Sequence, residues 1–116
     1  MAEPLTPAVF HILVALADGE RHGYGIMQEV AARTGRQTIM GPGTLYGTLK
    51  RMLEAGLVED CGERADPEAG DERRRYYRLT NHGRRAATEE ARRLDLLVRA
   101  ARAKRLLEPR AAQEGA

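Results

Sequence analysis

The sequence of 116 residues contains no serine and no tryptophan, and only one cysteine. The absence of serine excludes a serine nucleophile, and Cys61 has no histidine near it in the sequence that could activate its thiol. A single cysteine also excludes an intrachain disulfide and an all-cysteine metal site. His11, His22 and His82 are too widely separated to predict a metal site. The residues that hydrolysis or metal binding would need are therefore missing, and we predict that the protein is not an enzyme and binds no cofactor.

Long apolar runs are absent as well, so the sequence predicts no membrane span. The first residues, MAEPLTPAVF, lack the basic segment and the long apolar segment of a signal peptide. We therefore expect a cytoplasmic protein, in a reducing compartment that suits a free cysteine. The length is that of one domain with a modest core.

Charge is nearly balanced overall, with 19 basic and 17 acidic residues, but it is unevenly distributed. Residues 59–72 contain seven acidic residues and one arginine, whereas residues 73–110 contain thirteen basic residues and four acidic ones. Nearly all the basic residues are arginines, whose planar guanidinium group can contact phosphates or carboxylates. The net charge alone does not indicate a nucleic-acid partner, but the basic C-terminal half is consistent with one.

Three helices are predicted in the first half of the chain. Thr6 and Pro7 are typical of a helix start, and apolar residues follow at helical spacing until Asp18-Gly19. The segment HGYGIMQEVAART predicts a second helix that ends at Gly35. In the third segment, from about Pro42 to Ala55, one apolar stripe is formed by Leu45, Leu49, Met52 and Leu53.

The second half predicts a hairpin followed by a long helix. LVEDC at 57–61 and RRRYYRLT at 73–80 resemble two strands, separated by a charged turn. Thr80 is suited to cap a final helix from Asn81 to about Leu107, and residues 108–116 are expected to form a flexible tail. The predicted fold is mainly α with a small β-hairpin, arranged as a winged helix-turn-helix with a long C-terminal helix.

The glycines of GPGTLYG, residues 41–47, allow a second interpretation as a phosphate-binding loop. A dinucleotide-binding fingerprint needs G-x-G-x-x-G between a strand and a helix, and Tyr46 stands where the third glycine is required. The preceding GRQTI is not a convincing buried strand. We therefore favour the helix over a nucleotide-binding enzyme.

Three segments, LADGERHGYGIMQEV, GPGTLYGTLKRMLEAGLVE and RRRYYRLTNHGRR, carry a family resemblance. They occur in the order and spacing of the PadR family of bacterial transcriptional regulators, so the chain resembles a short PadR-like protein over about residues 8–107. The resemblance implies a DNA-binding domain at 1–80, a dimerisation helix at 81–107, and a homodimeric repressor on a pseudo-palindromic operator in double-stranded DNA. It also implies, for some members, release by a small hydrophobic or aromatic effector.

The resemblance assigns DNA contacts to the start of the second helix, to the third helix and to the base of the wing. The candidate residues are His22, Tyr24, Thr44, Tyr46, Thr48, Lys50, Arg51, Arg73, Arg74 and Arg75. Each group has a plainer alternative. His22 could serve only the turn and Tyr24 the core, the third helix could present an ordinary solvated face, and the arginines could only balance the acidic wing tip.

The final helix carries an apolar seam at alternating spacings of four and three residues. We expect this helix and the first helix to pack against their copies in a partner chain through Val9, Leu13, Ala87, Ala91, Leu94, Leu97, Val98 and Ala101. The alternative is a helix folded back on its own domain. A rival function is a winged-helix module that binds protein without DNA, which would not require Lys50, Arg51 and the wing arginines to act together.

Overall fold

A computed structural model describes residues 4–70 and 72–108, apart from the side chain of Ala69. The helices are α1 (Pro7–Ala15), α2 (Gly23–Arg33), α3 (Pro42–Glu54) and α4 (Asn81–Ala103), and the strands are β1 (Arg21–His22), β2 (Val58–Ala65) and β3 (Arg73–Leu79). This element order confirms the predicted winged helix-turn-helix. Apart from Glu108, the predicted tail lies outside the described residues. Within them, no helix is both long enough and apolar enough to span a membrane.

The core lies where α1, α2 and α3 meet the start of β2. Its largest fully buried side chains are Ile12, Leu13, Leu16, Ile26, Val30, Leu45, Thr48, Leu49 and Met52. Leu13 has no exposed surface, so the prediction that it contacts a partner chain is wrong. Because α1 is apolar on more than one side, helical spacing alone could not separate its core face from an outer face. Val9 is only half-buried at the edge of the core and remains a candidate.

Helices α2 and α3 end as predicted, at glycines with positive φ. Gly35 has φ 59° and Gly56 has φ 74°, the left-handed conformation that terminates helices. Helix α4 ends in the same way but uses Arg105, whose φ is 64°, and the N–H of Leu106 donates to the carbonyl of Ala101 at 2.9 Å. The prediction that α4 reaches Leu107 is therefore wrong, because this turn stops the helix at Ala103.

The sheet is antiparallel with the order β1-β3-β2. The predicted hairpin is present, but the sequence missed β1, in which His22 pairs with Tyr76 of β3. A bulge at Cys61 shifts the register, so that Asp60 lies opposite Tyr77 and Gly62 lies opposite Tyr76. Through β1, the wing is joined directly to the start of α2.

Helix α4 begins in close contact with the start of β2. The N–H of Gly83 donates to the side chain of the cap residue Thr80 at 2.9 Å, and the Thr80 hydroxyl donates to the carbonyl of Gly56 at 2.5 Å. A Cβ atom added at Gly83 would lie 2.9 Å from the carbonyl carbon of Leu57 and closer still to its oxygen. Only glycine fits at this position, so Gly83 determines how near α4 can lie to the sheet.

We predict that Gly83→Ala lowers the free energy of unfolding by about 2 to 3 kcal/mol, the upper part of the range for overpacking. Gly47→Ala is the matched control, because its Cβ would meet nothing nearer than the far end of Arg51, at 3.9 Å. That control should raise stability by about 0.5 to 1 kcal/mol, since alanine suits a helix better than glycine. Urea unfolding measures both, and equal effects of the two substitutions would contradict the proposed packing of Gly83.

Candidate nucleic-acid interface

Helix α3 has one buried and one exposed face. Leu45, Leu49 and Met52 lie in the core, so the opposite side of the helix is turned to solvent. The exposed side chains assigned to DNA contact on this helix are Thr44, Tyr46, Lys50 and Arg51. The face therefore combines hydroxyl groups with two cations, the groups suited to phosphate oxygens and base edges.

Thr48 does not belong to this face. Only 1% of its surface is exposed, and its hydroxyl accepts a hydrogen bond from Arg51 Nη2 at 3.3 Å. Thr48 follows Leu45 by three residues and precedes Met52 by four, which places it on the core side of the helix. The prediction that Thr48 contacts DNA is therefore wrong.

Tyr46 lies across the first turn of α2. A Cβ atom added at Gly23 would lie 2.9 Å from Tyr46 Cε1 and closer still to the hydroxyl. Glycine at position 23 thus lets the tyrosine ring pack against α2 while about half of its surface stays exposed. The two helices of the helix-turn-helix contact each other through this pair.

His22 caps the start of α2. Its Nδ1 accepts a hydrogen bond from the N–H of Gly25 at 2.9 Å, and its Nε2 lies 3.3 Å from Asp66 Oδ2. Because Nδ1 accepts, the ring proton belongs on Nε2, where it faces the Asp66 carboxylate. This is the turn role considered for His22, and it leaves neither ring nitrogen free for a phosphate.

Asp66 also connects the wing to Arg74. The Arg74 Nε atom lies 3.7 Å from Asp66 Oδ2, and the guanidinium carbon of Arg74 lies 5.3 Å from the centre of the Tyr24 ring. About half of the Tyr24 surface is exposed, which excludes the core alternative for this residue. The tip of the wing is therefore held against the first turn of α2.

The arginines of the wing each have a carboxylate partner. Arg75 Nη1 lies 2.7 Å from Asp60 Oδ2, Arg73 pairs with Glu63 and Arg78 with Glu59, and Arg64 pairs with Glu20. The N–H of Gly62 and the Arg75 guanidinium together hold the pKa of the Asp60 carboxyl below its usual range. Local charge balance, the plainer alternative for the wing arginines, is thus present.

The cations of the helix-turn-helix are not balanced in this way. In residues 4–70 and 72–108, no ion pair involves Arg33, Arg36, Lys50 or Arg51. Residues 33–53 contain these four basic residues and no acidic one. Arg33 and Arg36 were not among the predicted site residues. The sequence signal for them was their place in a stretch that contains no acidic residue and leads from the end of α2 into α3. Uncompensated positive charge therefore lies on α2, α3 and the turn between them. It also lies on α4, where the described residues show no ion pair for Arg84, Arg85 or Arg92.

The family model described as the Transcriptional regulator PadR-like family matches residues 12–89. The chain belongs to this family. Membership confirms the predicted resemblance and makes this PadR-like protein a transcriptional regulator rather than an enzyme.

Relatives agree with this assignment. The PadR-like chain is 42% identical over 89 residues to Transcriptional regulator Rv3488 of Mycobacterium tuberculosis, a match that covers 77% of each protein. A PadR family regulator from Clostridium difficile superposes with a TM-score of 0.69 at 24% identity, over 84% of this chain and 96% of that one. Bacillus subtilis PadR, solved in complex with operator DNA, superposes with a TM-score of 0.63 at 21% identity. That match covers 74% of this chain and 47% of the Bacillus subtilis chain. The two structures confirm the fold.

We predict that Asp60→Asn destabilises this PadR-like protein at neutral pH but not in acid. The folded-state pKa of Asp60 lies below its unfolded value of 3.8, so the carboxylate contributes stability above about pH 4. That contribution is lost as the pH falls through the folded pKa. Urea unfolding between pH 7 and pH 2.5 should show the two proteins converging in acid.

Glu89→Gln is the control for Asp60→Asn, because Glu89 is exposed and has no ion-pair partner in the part of the chain that the structure describes. It should leave the urea midpoint at pH 7 unchanged. A difference between Asp60→Asn and the unchanged protein that stayed constant down to pH 2.5 would show that the Asp60 charge is not the cause.

Proposed function

We propose that this PadR-like regulator is a cytoplasmic repressor that binds a pseudo-palindromic operator as a homodimer, with residues 1–80 as the DNA-binding domain. The observation that carries the proposal is the uncompensated positive charge on the exposed side of α3. Lys50 and Arg51 lie there without carboxylate partners among the described residues, whereas the wing arginines are paired. DNA is the partner that such a surface suits best, because each neutralised phosphate releases counterions.

Helix α3 is the element that enters the major groove in this proposal. Thr44, Tyr46, Lys50 and Arg51 supply the hydrogen-bond donors, and the start of α3 leads into the groove, as in other helix-turn-helix proteins. Tyr24 reaches the DNA backbone from the start of α2. The Bacillus subtilis relative was solved with operator DNA, which supports this use of the shared fold.

The wing has a smaller part in the proposal. Arg73, Arg74 and Arg75 remain candidates for phosphate contacts, but each would have to exchange a carboxylate for a phosphate. Such an exchange contributes less binding free energy than the neutralisation of a phosphate by an unpaired cation. We therefore assign most of the electrostatic attraction to α3.

Helix α4 supplies the dimer interface. It is 23 residues long, or about 35 Å, and only its first part packs against its own chain. Beyond Ala91 the apolar side chains Leu96, Leu97 and Val98 are exposed. Packing of Ala87, Ala91, Leu94, Leu97, Val98 and Ala101, with Val9 of α1, against a second copy would cover much of this surface. Two copies would place two α3 helices about one turn of DNA apart.

The site proposed for a small effector lies between α1 and α4. A cavity of about 200 Å³ is lined there mainly by apolar side chains, among them Phe10, Val14 and Ala87. This volume is below the roughly 300 to 1,000 Å³ of most ligand sites, so a ligand would be small or shared with the second copy. Release of DNA would require that ligand to bind the two arrangements of the dimer with different affinity.

The first test of DNA binding is fluorescence anisotropy of the full chain. The probes are a duplex that the protein selects from a random-sequence library and a shuffled duplex of equal length, each across a salt series. We predict that Lys50→Ala with Arg51→Ala weakens binding to the selected duplex about tenfold or more. The double variant should also reduce the salt dependence by about 0.9 in log-log slope for each phosphate that is no longer neutralised.

Arg75→Ala is the matched control, since it removes an arginine that is already paired with Asp60. It should change the salt slope by about a quarter or less of the change that the double variant causes. A selected duplex that bound no better than the shuffled one would leave only nonspecific attraction. No binding even at low salt would favour the rival function, a winged-helix module that binds protein.

We predict that Val98→Asp converts the dimer to a monomer, because it buries a charge in the apolar seam of α4. Leu96→Asp is the control. Leu96 is more exposed than Val98, at 67% against 41%, but two residues along a helix place it on the opposite side. Sedimentation equilibrium should give a dimer for the unchanged protein and for Leu96→Asp. If both variants dissociated, or neither did, the assignment of the seam would be wrong.

A further inference from the structure

The large apolar side chains that are exposed fall into two groups. One group, Leu96, Leu97, Val98, Leu106 and Leu107, lies on α4 and just after it. The other group lies on the helix-turn-helix and consists of Tyr24, Ile39 and Tyr46. The two tyrosines carry hydroxyl groups that can donate to DNA. Ile39 has no polar side-chain atom, yet 62% of its surface is exposed, and the proposed function gives it no role.

Ile39 projects from a segment that is anchored on both sides. Before it, the N–H of Thr38 donates to the hydroxyl of Thr34 at 3.1 Å. After it, Met40 is buried in the core. Ile39 precedes the α3 cap residue Gly41 by two positions, so their Cα atoms are at most about 7 Å apart. The side chain is therefore held beside the end of α3 that leads into the groove.

The start of helix α3 has glycine at the cap position, Gly41, and again at Gly43, between the exposed Pro42 and Thr44. Cβ atoms added at Gly41 and Gly43 would meet nothing within 4 Å, so the packing of the chain does not require glycine at either position. At these two glycines the backbone can approach the floor of a groove closely. Ile39 lies beside this turn and adds an exposed, branched apolar side chain to it.

The surroundings of Ile39 favour DNA over a protein partner. The stretch 33–53 contains four basic residues and no acidic one, and the described residues show no ion pair for any of the four. Protein–DNA interfaces are much more positively charged than protein–protein interfaces. The one apolar feature that distinguishes bases in the major groove is the C5 methyl group of thymine.

We propose that Ile39 is a specificity-determining residue that packs against the methyl group of a thymine in each half-site of the operator. The inference rests on the proposed DNA-binding function and adds a residue that the hydrogen-bonding groups of α3 do not include. The inference predicts one base position per half-site. Removal of the thymine methyl group at that position should weaken binding, and the weakening should depend on Ile39.

The experiment replaces each thymine of the selected duplex by uracil, one position at a time, which removes only the methyl group. Anisotropy is measured for the full chain, for Ile39→Ala and for Leu96→Ala. Leu96→Ala is the matched control, since it shortens an exposed apolar side chain on α4. Circular dichroism of both variants confirms that their folds are unchanged.

We predict one thymine in each half-site whose replacement weakens binding of the unchanged protein and of Leu96→Ala by about fourfold, the contribution of one buried methyl group. Ile39→Ala should bind the thymine and uracil duplexes equally at that position. The loss of sensitivity at one position alone would identify the methyl group that Ile39 contacts.

Other outcomes separate this inference from the proposed function. If Ile39→Ala lost as much affinity as the unchanged protein at every uracil position, the proposed role of Ile39 would be overturned. The proposal that the protein binds DNA would be unaffected. If no thymine were sensitive in the unchanged protein, the inference would fail in the same way. If the protein selected no duplex from the library, the proposed function would fail and this inference with it.

Discussion

The packing of α3 into the core is the constraint on which the candidate site depends. Leu45, Leu49 and Met52 pack in one core with residues of α1, α2 and β2, and an amphipathic helix buried along one side must turn its other side to solvent. The same packing draws Thr48 into the core and directs Lys50 outward. The orientation of the proposed reading surface is therefore a consequence of hydrophobic burial, which acts without any contribution from DNA.

The ion pairs then determine which basic residues already have a carboxylate partner and which are left to bind a phosphate. The wing contains many arginines, but most of their partners lie on the facing strand or at the tip, as with Arg75 and Asp60. Asp66, held between His22 and Arg74, further attaches an acidic tip to the start of α2. A net charge near zero can thus coexist with a locally positive helix-turn-helix, because many of the acidic residues are paired with arginines of the wing.

The helices could largely be predicted from the sequence, because apolar spacing and terminal residues such as Pro7 and Gly35 are local signals. The wing pairs could not, since they depend on cross-strand register, and the bulge at Cys61 shifts that register by a residue. Strand β1 was missed because two residues are too few to show the alternation of polar and apolar side chains that identifies a strand. Leu13 was misassigned for a different reason, since apolar spacing does not distinguish burial in the chain from burial against a partner.

The glycines of the helix-turn-helix and of α4 differ in whether the packing of the chain requires them. Gly83 is required by the fold, because a Cβ there would overlap the backbone carbonyl of Leu57, whereas a Cβ at Gly23 would displace only the half-exposed ring of Tyr46. Gly43 and Gly47 have open space around them, although glycine weakens a helix interior by roughly 0.5 to 1 kcal/mol relative to alanine. Nothing in the packing of the chain offsets that loss. The two glycines therefore leave two positions of α3 at which the proposed DNA partner can approach the backbone closely.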